Sequence, residues 1–151
     1  MTGAVALLLT VQLAATAAMV AIIWFVQLVH YPLLARVGSS EFVAYETANT
    51  RRTAWVVGPP MLAEAVTAVI ILLDRPGRVS AALAAAGVAC LLLLWVSTGL
   101  VQSPLHGRLS RGRDLTLIRR LVVTNWVRTV LWSLRLLIAA AMLLGAGRPH
   151  G

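Results

Sequence analysis

Between Gly3 and Ala35 no charged side chain interrupts a run of apolar and small residues, and the exceptions are neutral polar groups such as Gln12, Gln27 and His30. About 20 apolar residues cross a bilayer as a helix, so this run is long enough to span one. Three more apolar runs follow. The pattern predicts spans over about 4–31, 53–73, 80–102 and 121–144. On the first, Gln12, Met19, Ile23, Gln27 and His30 recur at helical spacing and define one face. On the third, Trp95, Thr98 and Gln102 share a face. On the fourth, Asn125, Arg128, Trp132 and Arg135 form a stripe.

The breaks are as informative as the runs. Pro32 ends or kinks the first helix near Tyr31, because the residue before proline disfavours helical backbone. Gly38-Ser39-Ser40 opens a loop in which Ser40 is a candidate cap and Glu41 suits a first helical turn. Phe42, Tyr45 and Ala48 then give residues 41–50 an apolar edge, which predicts a short amphipathic helix at the interface. Gly58-Pro59-Pro60 should kink or delay the second span. Asp74-Arg75-Pro76-Gly77-Arg78 reads as a tight turn. A short tail from Gly145 carries His150 into solvent. The expected fold is all-α: a single-domain integral membrane four-helix bundle over residues 1–151, built from two helical hairpins.

Composition agrees. Apolar residues make up 60% of the chain and charged residues 12%, against about half and a quarter in soluble domains. All 13 basic side chains are arginine and the formal net charge is +8. These arginines lie between apolar runs, which points to topology and lipid headgroups rather than nucleic acid. The loops Arg36–Arg52 and Arg108–Arg120 hold eight arginines; Arg75, Arg78 and Arg148 are the three on the other side. The positive-inside rule then places a multi-pass protein in the cell membrane with both termini outside and the two arginine-rich loops in the cytoplasm. Ala15-Thr16-Ala17 imitates a cleavage site, but no basic residue precedes the apolar run, so an uncleaved first span is expected. Cys90 is the single cysteine, which excludes an internal disulfide and suits a small buried residue.

The two halves share landmarks. Val26-Gln27, Pro32-Leu33, Arg51-Arg52 and Trp55 correspond to Val101-Gln102, Pro104-Leu105, Arg119-Arg120 and Trp126. Two hairpins of one orientation would be related by an axis along the membrane normal; shared interface chemistry is the alternative. Either way, both His30 and His106 fall at the cytoplasmic end, beside one small polar pocket.

Charged side chains inside apolar spans need a partner or a purpose. Glu64 can meet Arg128 or Arg135, either as an ion pair that fixes packing or as a pair that holds the polar group of a lipophilic ligand. Gln27 and Gln102 either bridge helices or line the pocket with Tyr31, Tyr45 and Trp126. His30 and His106 are candidate bases. With Glu64 they would make a two-His-one-carboxylate iron set, and the two histidines alone could hold a haem. No tight spacing motif supports either, so no metal or other cofactor is favoured. Phosphate loop, nucleophile elbow, zinc motif and dinucleotide fingerprint are absent from the sequence.

Gln102-Ser103-Pro104-Leu105-His106-Gly107-Arg108-Leu109, followed by Arg119-Arg120 and Asn125-Trp126-Val127-Arg128-Thr129, resembles the small four-helix membrane family of unknown function that includes the anthrone oxygenases. Pro104, Leu105, Asn125 and Arg128 match its pattern, and Pro32-Leu33 and Phe42 also fit. His106 departs from it, standing where many members have asparagine. The resemblance implies a lipophilic phenolic or polycyclic substrate oxidised by dioxygen. His106 or His30 would then be the base, and Arg128 with Asn125 would hold the enolate.

Three functions therefore stand side by side: an oxygenase-like enzyme with a closed pocket for an aromatic or quinone-like ligand, a small subunit or assembly factor of a larger membrane complex, and a haem- or quinone-binding electron-transfer subunit. The expected partners are the bilayer, a lipophilic small molecule, and further copies or subunits.

Overall fold

A computed structural model describes residues 2–147. Arg148 and His150, assigned above to an exposed tail, lie outside the described residues. Four helices are long and apolar enough to cross a membrane: α1 (Gly3–Leu34), α2 (Phe42–Leu73), α3 (Ala81–Leu109) and α4 (Leu115–Gly147). No strand occurs among the described residues. α1 packs beside α2 and α4, and α3 packs beside the same two.

These helices are longer than the sequence pattern suggested. α2 has 32 residues, about 48 Å at 1.5 Å per residue, while the hydrocarbon layer is about 30 Å thick. The length beyond one such crossing leaves room for charged turns within the helices. Arg51, Arg52, Arg119 and Arg120, expected in loops, therefore sit in helical turns. The separate amphipathic helix expected over 41–50 is instead the start of α2. Ser40 does not cap it: Glu41 holds the cap position, without a side-chain cap bond. α4 begins differently, because Asp114 Oδ1 accepts from the backbone N–H groups of Thr116 and Leu117.

Pro32 and Pro104 do not end their helices. Each is preceded by a π turn, Val26–His30 in α1 and Thr98–Gln102 in α3. Proline has no N–H and its ring collides with the carbonyl four residues back. A wider turn relieves that collision: Tyr31 N–H reaches Val26 C=O, and Ser103 N–H reaches Thr98 C=O. The two turns lie 72 positions apart, as do the two prolines. At that offset Leu28, Val29, Pro32, Leu33 and Arg36 face Leu100, Val101, Pro104, Leu105 and Arg108. The halves thus correspond in a register three residues from the one suggested by the Val-Gln pairs: Val29-His30, not Val26-Gln27, matches Val101-Gln102. The π turn also corrects the face expected on α3. It inserts an extra residue, so Gln102 is buried while Trp95 is turned outward.

Two ends can be told apart. Arg113 donates to Ala35 C=O at 2.7 Å, tying the 35–41 and 110–114 loops together. Val79, Ile71, Leu9 and Ala146 pack at the other end. The first end is closed by Tyr31, Leu34, Phe42, Leu105, Leu109, Ile118 and Leu121. Between the ends lies a plug of Met19, Ile23, Leu94 and Trp132. Cys90 is buried and unpaired. The outer face is apolar, with Leu100, Leu137 and Leu73 largely exposed, as a helix solvated by lipid requires.

Candidate functional site

Beside the two π turns, all four helices enclose a cavity of about 220 Å³. α1 contributes His30 and Tyr31, α2 Asn49 and Thr53, α3 Gln102 and His106, and α4 Arg128; Met19, Ile23 and Val57 supply apolar floor.

His106 is held at both ring nitrogens. Nδ1 lies 2.5 Å from Glu46 Oε1, and Nε2 lies 2.9 Å from the Tyr31 hydroxyl. With Glu46 ionised, Nδ1–H donates to the carboxylate and Nε2 accepts from Tyr31 O–H. If the ring takes up a proton, both nitrogens donate and the Tyr31 oxygen accepts. One proton can therefore shift along Tyr31, His106 and Glu46 without any heavy atom moving far. Glu46 is fully buried. Asn49 Nδ2 donates to its Oε2 at 3.2 Å, and Thr50 Oγ1 lies 3.4 Å from its Oε1. His30 sits alongside. Its ring is stacked by Tyr45 from outside, with centroids 6.5 Å apart, and its Nε2 is buried without a hydrogen-bond partner.

Arg128 forms the opposite wall, beside Tyr31. Its Nη1 donates to Asn125 Oδ1 at 3.2 Å, and Asn125 Nδ2 donates to Gln27 Oε1 at 2.8 Å. Gln27 Nε2 then donates to Val122 C=O. The chain fixes α1 against α4 and orients the guanidinium. Arg128 Nε has no partner, and neither does Gln102 Oε1. Among the described residues the ion pairs are His106–Glu46 and Arg135–Glu64, so no carboxylate neutralises Arg128. A buried cation at the wall of a mostly apolar cavity favours a negatively charged oxygen there.

Glu64 belongs to a different cluster. Arg135 Nε approaches its Oε1 to 2.5 Å, and Gln12 Nε2 and Thr16 Oγ1 each lie 3.3 Å from the same oxygen. Beyond the Met19–Trp132 plug, this cluster joins α1, α2 and α4. Gly87 of α3 makes room for it: a Cβ there would overlap Arg135 Nη1. Of the two partners expected for Glu64, Arg135 is the one it meets. The set of His30, His106 and Glu64 is not assembled, since Glu64 is turned to Arg135. Among the described residues no three His, Cys, Asp or Glu side chains are placed to hold a metal ion.

The structure thus brings His30, Tyr31, Gln102, His106 and Arg128 to one cavity. Gln27 and Asn125 stand behind Arg128 as inter-helix bridges, and Tyr45 flanks His30. Glu64 and Arg135 lie elsewhere, and Trp126 packs edge-on against Trp24 on the outer face, with centroids 5.8 Å apart. Sequence reasoning missed Glu46, Asn49 and Thr53. The signal was there: Glu46, Asn49, Thr50, Thr53 and Val57 recur at steps of one, three and four. Reading 41–50 as an interfacial helix hid their continuation into the second span.

No protein-family model, no curated protein and no solved structure matches this chain. The site must therefore be read from its own chemistry.

Proposed function

We propose that this is a multi-pass membrane protein whose cavity binds the ring of a lipophilic phenol or quinone-like molecule, holds its anionic oxygen at Arg128, and exchanges a proton with it through Tyr31, His106 and Glu46. One observation carries the reading: a buried guanidinium with no carboxylate partner stands beside a tyrosine hydroxyl that is hydrogen-bonded to a His–Glu pair. Packing alone would favour pairing or removing such a charge. An acidic ring oxygen supplies the partner.

The resemblance to the anthrone oxygenase family adds a reaction. Loss of a proton from an acidic ring C–H, taken by the Tyr31–His106–Glu46 relay, leaves an enolate held at Arg128. Dioxygen oxidises that carbanion, the ring CH₂ becoming C=O with release of water. The cavity is smaller than the roughly 300–1,000 Å³ usual for ligand pockets. A head of one or two fused rings is therefore favoured over three.

Orientation belongs to the same reading. The arginine-rich end faces the cytoplasm, with α1–α2 and α3–α4 as two hairpins and both termini outside.

The test uses 2-hydroxy-1,4-naphthoquinone, whose anion is coloured, with the full chain in lipid nanodiscs. Binding should be saturable and lost at least tenfold in Arg128→Met. Equal binding by Arg128→Met would contradict the proposal.

A further inference from the structure

Next to the cavity lies an open groove of about 510 Å³ between α1 and α2. It shares Ile22, Val26, His30, Asn49, Thr53 and Val57 with the cavity, so the two adjoin and only these side chains stand between them. Its outer lips are Ala21 and Phe25 on α1 and Val56 on α2, with Arg52 at one end. Phe25 and Val56 are exposed on the apolar outer face. Both helices carry a backbone defect at this level. The π turn of α1 starts at Val26. On α2, Pro59 and Pro60 lack N–H groups, so the carbonyls of Trp55 and Val56 lose their usual donors. A groove on α3 and α4, lined by Leu93, Val96, Leu100 and Leu131, makes the contrast. It occupies the related place in the other half, yet shares no lining residue with the cavity.

From this we infer that the ligand is a tailed amphiphile. Its ring occupies the cavity, and its hydrocarbon tail lies in the α1–α2 groove and leads to the lipid. The same groove is the route by which the molecule arrives from the bilayer. This rests on the cavity binding a ring, as proposed above. The reasons are physical. The cavity alone is small for a whole lipophile, the groove adjoins it across shared side chains and is mostly apolar, and it opens on the apolar outer face, towards the medium where such molecules dissolve. The substrate class narrows to an acidic phenol, quinol or hydroxyquinone bearing an alkyl or prenyl chain.

The test pairs two probes in nanodiscs: 2-hydroxy-1,4-naphthoquinone, and its 3-decyl derivative with a photoreactive diazirine at the tail end. Crosslinks of the tailed probe should map to the groove, on Phe25 or Val56. Ala21→Trp, on an exposed position that should fold, should slow binding of the tailed probe at least tenfold. Leu100→Trp, in the unconnected groove, should not. Val56→Cys alkylated with a bulky reagent should repeat the slowing, with the buried Cys90 of the parent chain as control. Crosslinks on the α3–α4 groove, or unchanged rates in both blocked variants, overturn the inference while leaving the ring site standing. Failure of the untailed probe to bind overturns the ring site, and this inference with it. A smaller particle for Ala21→Trp would show that a second copy of the chain fills the groove, and would also overturn it.

Discussion

Glu46 and His106 stand 60 positions apart and meet at 2.5 Å, carboxylate to ring nitrogen, between the second and third helices. The contact at Nδ1 turns the other ring nitrogen, Nε2, to Tyr31, so the orientation of the histidine depends on a residue it does not share a helix with.

Glu46→Gln keeps the shape and removes the charge. The amide can donate to Nδ1 as well as accept from it, so the tautomer that accepts from Tyr31 is no longer enforced. Oxygen-dependent turnover of a two-ring ketone probe with an acidic ring CH₂ should fall about 10²-fold or more, the usual weight of a general base. Unfolding of the detergent-solubilised protein should shift by far less than that loss implies. Turnover within twofold of the parent would remove the relay from the mechanism.

Gln27→Leu cuts the bridge that reaches Arg128 through Asn125. Inter-helix hydrogen bonds in membranes are worth roughly 0.6–1.7 kcal/mol, so stability should drop modestly, by about 1 kcal/mol. Probe affinity should fall as well, because Asn125 no longer fixes the guanidinium. Steric-trap unfolding and a binding titration on the same preparation separate the two effects.

Arg135 and Glu64 should behave as structure rather than chemistry. Arg135→Met alone leaves a buried carboxylate and should cost about 3–5 kcal/mol. The double variant Glu64→Leu with Arg135→Met should recover most of that loss and retain probe binding. Gly87→Ala should destabilise the parent by about 1–3 kcal/mol through overpacking, and much less in the double variant, where the guanidinium is gone. A Gly87→Ala cost independent of Arg135 would contradict the packing described.

The loops offer a test of orientation. Single cysteines at Gly112 and Gly77, in a Cys90→Ser background, should react with a membrane-impermeant maleimide from opposite sides. Gly77 should label in intact cells and Gly112 only after permeabilisation. The reverse pattern would invert the assignment.

Much of this fold was legible because its signals are strong and local. Four apolar runs with few charges specify four long helices, and the polar stripe Asn125, Arg128, Trp132, Arg135 is buried as its spacing requires. What was not legible depended on backbone register. A π turn leaves no clear mark beyond a proline two residues later, yet it decided that Trp95 faces out and that the halves match through Val29 and Val101. The partner of Glu64 could not be read from one sequence, since Arg128 and Arg135 are both on the inner stripe of α4. Glu46 was hidden by a plausible alternative: an amphipathic segment next to an apolar run looks interfacial until the two are seen to be one helix.

The most direct measurement is the visible spectrum of 2-hydroxy-1,4-naphthoquinone bound to the parent protein, compared with Arg128→Met, Tyr31→Phe and His106→Ala. The account predicts that the parent binds the coloured anion even where the free probe is largely neutral. Arg128→Met should lose binding. Tyr31→Phe and His106→Ala should bind with a smaller ionised fraction, alike in both. Binding of the neutral form by the parent, or an ionised fraction unchanged in all three variants, would contradict the account.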